Sequence, residues 1–267
     1  MVHSDESSDG GLRGARLRPV ERRSFGDAVV AELSEAILHG RYQPGESLPP
    51  EHALCEQLGV RRGALREGLK RLEQAGLVEI RHGGGTRVRD YRRNAGLEVL
   101  PTLLRRPDGR IDADVVRSVM EMRSALAPDV ARQAARRRSD AQLSRLSGLV
   151  EALTEAGDEP ERRGELSGEI WDAIVDASQN VAYRLAYNAL LAVSRLGRRW
   201  LPSVLSSEVE YVGDYGELVL AIRDHDTEAA GRIAHTITTR GQDALDAALR
   251  AGTVDAALAR TDEDRRS

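Results

Sequence analysis

Residues 48–88 read LPPEHALCEQLGVRRGALREGLKRLEQAGLVEIRHGGGTRV, and this stretch decides the fold. It opens on Pro49-Pro50, residues tolerated in the first turn of a helix, where the missing N–H is no loss. Leu54 and Leu58 stand four apart, which predicts a short helix over 50–58 that Gly59 ends. A second helix starts near Arg61. On one side of it lie Ala64, Leu65, Gly68, Leu69, Leu72 and Ala75, while Arg62, Arg66 and Lys70 step along the opposite side. Gly63, among these cations, removes a side chain and lets a partner come close. Two helices joined at a glycine, the second apolar behind and basic in front, form a helix-turn-helix pattern. Gly76 closes the second helix. The β-prone runs 77–80 and 86–89 then flank Arg81-His82-Gly83-Gly84-Gly85, a hairpin with a glycine tip and so a wing.

Charge agrees with this reading. Between residues 61 and 93 ten Arg and Lys face four Asp and Glu, a local +6 in a chain whose formal net charge is −4. A basic island in a mildly acidic chain is the electrostatic footprint of a nucleic-acid reader. Arg62 and Arg66 are placed to reach base edges, since arginine on guanine is the commonest specific contact. Arg61, at the helix start, meets phosphate or base.

The run from about 28 to 88, with GRYQPGESLP ahead of the stretch quoted above, closely resembles the winged-helix domain of the GntR superfamily of bacterial transcription regulators. The resemblance implies that His82 and Gly83 enter the minor groove from the wing tip. It also shows departures. Gly63 and Ala64 stand where the fatty-acid-responsive members have threonines, and His52 replaces the arginine of the L-P-x-E-R motif, which is expected to weaken one phosphate contact.

Outward from the reader, residues 1–23 are rich in Ser, Asp, Gly and Arg and form an expected disordered arm, either solvated or brushing phosphates. A helix from Ser24 to His39 carries Phe25, Val29, Leu33 and Ile37 on one side, so the first domain is expected over 24–90. Residues 91–110 form a linker, with a short helix carrying Leu97, Val99, Leu100, Leu103 and Leu104 and a turn at 106–109. Helices are expected over 111–138 (Val115, Val119, Met122, Leu126 and Val130 inside), 139–156, 161–177, 181–200, 208–223 and 226–250. They form an antiparallel all-α bundle over 111–250, followed by a flexible tail at 251–267. The fold class is thus mainly α, a winged helix-turn-helix followed by an all-α ligand-binding domain. Aromatic residues make up only 3% of the chain, which leaves the core to Leu, Val, Ile and Ala. Cys55 is the one cysteine and excludes an intramolecular disulfide. No run approaches the roughly 20 apolar residues that span a bilayer, so a cytoplasmic protein without membrane contact is expected. Enzyme chemistry finds no support. His52 stands three residues before Cys55, but nothing acidic orients it, and P-loop, HExxH and nucleophile-elbow motifs are missing.

Within the bundle, SVMEMR at 118–123, ASQN at 177–180, and Ala221-Ile222 with Glu228-Ala229-Ala230 resemble the FadR branch of the superfamily. Many members of that branch hold a divalent ion with one Asp or Asn and three histidines. Here those histidine positions fall at Trp171, Tyr215 and near Ile237. Indole offers no lone pair and a phenol is a poor ligand at neutral pH, so no metal and no cofactor are expected. His235, about two residues off register, leaves a shifted metal site as the alternative. Aromatic residues at those positions are similar to the fatty-acyl-CoA-responsive members, and Arg123 matches an arginine that contributes to acyl-CoA recognition there. Leu190, Ser194 and Leu201 fall where those members use a Met and two Tyr. The small residues Ala186, Ala189, Ala192 and Ser194 leave room for a chain, and Arg195, Arg198 and Arg199 either meet CoA phosphates or form a solvated helix end. The reading as a whole is a homodimeric regulator that binds a palindromic duplex, with long-chain acyl-CoA as effector through Arg123, Trp171, Leu190, Ser194 and Tyr215. The alternative is the same fold answering to a small carboxylate, a sugar acid or a metal-bound metabolite.

Overall fold

The computed structural model describes residues 25–81, 84–196 and 207–251. The expected arm at 1–23, the Ser24 cap and the tail beyond 251 lie outside them. Mostly helical, the chain runs α1 (Phe25–Leu38), α2 (Glu51–Leu58), α3 (Arg62–Gln74), β1 (Val78–Arg81), β2 (Gly85–Val88), α4 (Tyr91–Asn94), a 3-10 turn (Leu97–Val99), α5 (Leu100–Leu104), α6 (Ala113–Arg137), α7 (Asp140–Glu155), α8 (Pro160–Ala177), α9 (Val181–Leu196), α10 (Val212–Arg223) and α11 (Thr227–Arg250).

The reader forms where the sequence placed it. Gly59 caps α2 in the left-handed conformation at φ 63°, which leaves Val60 and Arg61 as the turn into α3. The apolar side of α3 buries Leu65, Leu69 and Leu72 against Val29, Leu33 and Ile37 of α1. Gly68 permits this crossing, because a Cβ there would come within 2.5 Å of Val29 Cγ1. β1 and β2 pair antiparallel in the register Val78↔Val88 to Arg81↔Gly85. Phe25, placed by its spacing on the inner side of α1, is instead 72% exposed. It sits at the first position of the helix, before the face reaches α3.

The junction holds three short helical pieces where one was expected. Val99 and Leu103 join the reader core, whereas Leu104 and Leu100 join a second cluster with Met120, Leu190 and Leu245. Leu97 stays largely exposed. Consecutive residues of one short segment are thus shared between two cores. Gly76 adds a further tie: its φ is 72°, and a Cβ would fall 2.0 Å from the Asn94 carbonyl oxygen.

The bundle centres on the long contact between α6 and α11. The buried residues of these two helices include many small ones, Ala127, Ala131, Ala134 and Ala135 on α6 and Ala230 and Ala234 on α11. This corrects the inner face expected for α6. Val119 and Val130 are buried as expected, but Val115, Met122 and Leu126 are only half-buried, and Val116, Met120 and the alanines take their place. Alanine lets two helix backbones approach in a way that larger side chains do not. On α9, Val181 and Leu185 are 74% and 64% exposed, whereas Tyr183 and Tyr187 of the same turns are half-buried. Among the described residues no helix is long and apolar enough to cross a membrane.

Replacing Gly76 by alanine forces a left-handed conformation on a residue with a Cβ and drives that Cβ into Asn94. Chemical denaturation of Gly76→Ala should show a loss of about 1–3 kcal/mol, and an unchanged midpoint would contradict this packing of the linker on the reader.

Candidate functional site

Two surfaces carry the functional residues, one on α3 and one inside the bundle. At the reader, Arg61 is the N-cap of α3, and Arg61, Arg62, Gly63 and Arg66 are exposed with Ala64 half-buried beside them. Nothing lies within 4 Å of the space a Cβ would take at Gly63, so the helix front is open there. Arg66 is not free in solution. Its Nε donates to Glu51 Oε2 at 3.0 Å, which ties the basic face of α3 to the start of α2. His52, next to Glu51, is exposed. His82 and Gly83 lie outside the described residues. Cys55 is half-buried against the reader core, as expected for a packing thiol.

In the bundle, α6, α8 and α9 enclose an apolar cleft. Its walls are Leu126, Ala127 and Val130 of α6, Trp171 and Val175 of α8, and Tyr183, Tyr187 and Leu190 of α9, with Arg123 completing the lining. The spacing 183, 187, 190 places those three side chains on one face of α9. Ala186, Ala189, Ala192 and Ser194 do not line the cleft, and Ser194 Oγ donates to the Leu190 carbonyl of its own helix. The groove measures about 380 Å³ with its open solvent, but the cavity proper is only about 30 Å³. That is room for a water or two and not for an acyl chain; a long ligand has to part the walls.

Arg123 supplies the cleft's positive charge. Its two terminal nitrogens donate to Glu208 Oε1 and Oε2 at 2.5 and 2.7 Å, a bidentate pair in which Glu208 is 1% exposed. Burial alone would lower the Arg123 pKa, but the charge and hydrogen bonds of Glu208 outweigh it and hold the guanidinium well above its ordinary value. The same guanidinium lies 5.5 Å from the centroid of the Trp171 ring. Trp171 Nε1 is buried and faces the Tyr215 hydroxyl, outside the geometry of a full hydrogen bond but close enough to temper the rise in that phenol's pKa. Tyr215 itself is fully buried, its hydroxyl 2.7 Å from Ser167 Oγ, and burial raises its pKa, with Glu208 adding to the rise. Tyr187 is pushed up to about 12, also by burial. Tyr183 donates to Asp129 Oδ2 at 2.5 Å, and that bond raises its pKa in turn.

The comparisons with known proteins agree with this division. Residues 25–88 match the bacterial regulatory proteins of the gntR family, and residues 118–240 match the FCD domain. Over 233 residues the chain is 38% identical to the HTH-type transcriptional regulator Mce2R of Mycobacterium tuberculosis, an alignment covering 87% of this chain and 96% of that one. The chain belongs to the GntR family of bacterial regulatory proteins. Among further relatives, the fatty acid metabolism regulator protein of Vibrio cholerae is 39% identical over 89 residues, covering 33% of this chain and 30% of that regulator. A solved structure of Lar, described as controlling expression of the Listeria monocytogenes agr system, superposes with a TM-score of 0.52 over 86% of this chain and 98% of its own. At 15% identity it speaks for the fold alone.

As a GntR-family regulator the chain binds DNA, and α2 and α3 form the helix-turn-helix of its reader. The residues picked out in the bundle divide. Arg123, Trp171 and Leu190 meet in the cleft, and Tyr215 is buried behind them. Ser194 turns away. The side chain of Arg195 and all of Arg198, Arg199 and Leu201 lie outside the described residues. His235 is exposed on α11 while Ile237 is buried. His225 Nδ1 lies 2.6 Å from the Ala135 carbonyl oxygen, so that imidazole is engaged at the end of α6. Among the described residues no three of His, Cys, Asp and Glu gather as a metal site. Sequence reasoning missed Glu208, Tyr183 and Tyr187. The tyrosines were legible as a spacing on α9; Glu208 carried no local signal.

Truncation of Arg66 removes one guanidinium from the recognition face. Binding of Arg66→Ala to a selected palindromic operator should weaken by about 1–3 kcal/mol at constant salt, with relaxed preference at one position per half-site. Wild-type affinity in a mobility-shift titration would mean that α3 reads no base through Arg66.

Proposed function

We propose that this regulator is a homodimer whose operator affinity falls when a long-chain fatty acyl-CoA enters the cleft between α6, α8 and α9, and that it governs lipid metabolism in this way. The carrying observation is the cleft itself, with apolar walls along its length and one guanidinium in its lining. The name of the Vibrio cholerae relative speaks for the same ligand class, though that likeness covers a third of the chain. Two-fold symmetry follows from the reader, because one recognition helix reads only a few base pairs and a dimer doubles the site.

Leu190 links the cleft to the reader in this proposal. It lines the cleft and also packs in the cluster that holds Leu104 and Leu100 of the junction, whose neighbours Val99 and Leu103 lie in the reader core. An acyl chain that parts α9 from α6 therefore disturbs α5 directly. A tenfold to hundredfold loss of operator affinity needs about 1.4–2.8 kcal/mol of coupling. Each buried CH₂ contributes roughly 0.8 kcal/mol, so a long chain supplies this with a surplus for opening the walls, and a short chain does not. Mobility shift with acyl-CoAs of increasing length tests the proposal: release should strengthen with length. A complex indifferent to saturating long-chain acyl-CoA, yet dissolved by a small hydroxy acid, would favour the second reading, a carboxylate or sugar-acid sensor. The observation behind that reading is that Arg123 already holds a carboxylate.

We also propose that the bundle works without a bound metal or cofactor. Trp171, Tyr215 and Ile237 offer no imidazole at the positions where the resemblance places ligands, and exposed His235 does not replace them. Elemental analysis after extensive dialysis should find far less than one zinc, nickel or manganese per chain. Stoichiometric retained metal, with a melting temperature lowered by chelator, would reverse this.

A further inference from the structure

Glu208 is an unusual occupant of the bundle. It is 1% exposed, it pairs bidentately with a guanidinium that lines the cleft, and its place is kept by a glycine. A Cβ at Gly241 on α11 would fall 1.7 Å from Glu208 Oε1, 2.5 Å from Cδ and 2.7 Å from Cγ, so the notch in α11 is filled by this one side chain. A buried ion pair is a poor device for stability alone, since an apolar pair of equal volume often does as well. This one reaches the cleft through Arg123. Beside it Trp171 lines the same cleft, its ring 5.5 Å from the guanidinium.

We propose that Arg123, Trp171 and the Gly241 notch form a carboxylate seat which Glu208 occupies in the free protein, and that an unesterified long-chain carboxylic acid binds by displacing it. The inference rests on the cleft being the effector site, and it adds a head-group rule to that reading. A fatty carboxylate replaces Glu208 like for like. The guanidinium keeps a bidentate anion throughout, and the alkyl chain follows Trp171 towards Leu126, Val130 and Leu190. The neutral carbonyl of an acyl-CoA thioester makes no such exchange, because it would leave one buried charge unpaired, so an acyl-CoA enters the cleft with the Arg123–Glu208 pair intact. Glu210 and Tyr211, two and three residues on, are exposed, so the displaced carboxylate has water close at hand.

Opposite responses from the two partners of one ion pair test the seat. Calorimetric titration of the full-length protein with dodecanoate, below its micelle concentration, should give binding at least tenfold tighter than dodecanol, which has the same chain and a neutral head. Glu208→Gln keeps the shape and frees Arg123, so dodecanoate should bind tenfold or more tighter than to wild type. Gly241→Ala evicts Glu208 with Arg123 untouched, in a helix that alanine favours over glycine, and should act in the same direction. Arg123→Gln should weaken binding at least tenfold. A pair with a purely structural role would make all three variants bind alike or worse, which overturns the seat. Equal affinity for dodecanoate and dodecanol in the wild type overturns it as well, without need of any variant. If long-chain acyl-CoA still releases the operator in that case, the cleft reading stands and only the head-group rule falls. If neither dodecanoate nor acyl-CoA binds, both fall together.

Discussion

The close contact of α6 with α11 is the constraint on which the bundle depends. Six buried alanines on the two helices leave room for their backbones to approach, and that approach brings Arg123 on one helix and the Gly241 notch on the other to the same buried carboxylate. Wider side chains along the seam would separate the helices, open the notch and leave Glu208 without its housing. The charged site is therefore a product of the small residues around it as much as of its own polar atoms. Helix α8 closes the arrangement by laying the Trp171 ring beside the guanidinium, and α9 adds an aromatic and aliphatic wall.

The winged helix was legible in the sequence because its signals are local. Glycine at 59 and 76, leucine at helical spacing and arginine on the opposite face each act within one or two turns, and the structure differs only by a residue or two at element ends. The bundle's helices were legible for the same reason, but the side each turns inward was not. Reading α6 by its large apolar residues favours Val115, Met122 and Leu126, whereas its buried positions include four alanines, which carry little hydrophobic weight. The cleft was half legible. Arg123 and Trp171 are uncommon residues in an apolar context, so they draw notice. Glu208 is one of 43 acidic residues, 85 positions from its partner, and only the folded chain brings the two together.

Residues 97–104 show how a short segment can belong to two units at once. Val99 and Leu103 are packed by the reader, Leu100 and Leu104 by the bundle, and there is no flexible spacer between them. A rearrangement of the second cluster thus changes the support beneath the first, through contacts that are already in place before any ligand arrives. Gly76 and Asn94 fasten the start of this segment to the reader's back, which keeps such a displacement from being lost in slack chain.

The pair between Arg66 and Glu51 bears on how the protein searches a genome. Both side chains are largely solvated, at 65% and 41% exposure, and such a pair is worth about 0–1 kcal/mol. Arg66 can leave Glu51 for a guanine edge at little cost, and return at equally little cost when the base is wrong. While it stays paired, the recognition face presents one positive charge fewer to the phosphates of unrelated DNA, where affinity follows charge. Glu51 thus tempers the positive potential of the exposed face of α3 while leaving Arg66 available to any contact worth more than about 1 kcal/mol.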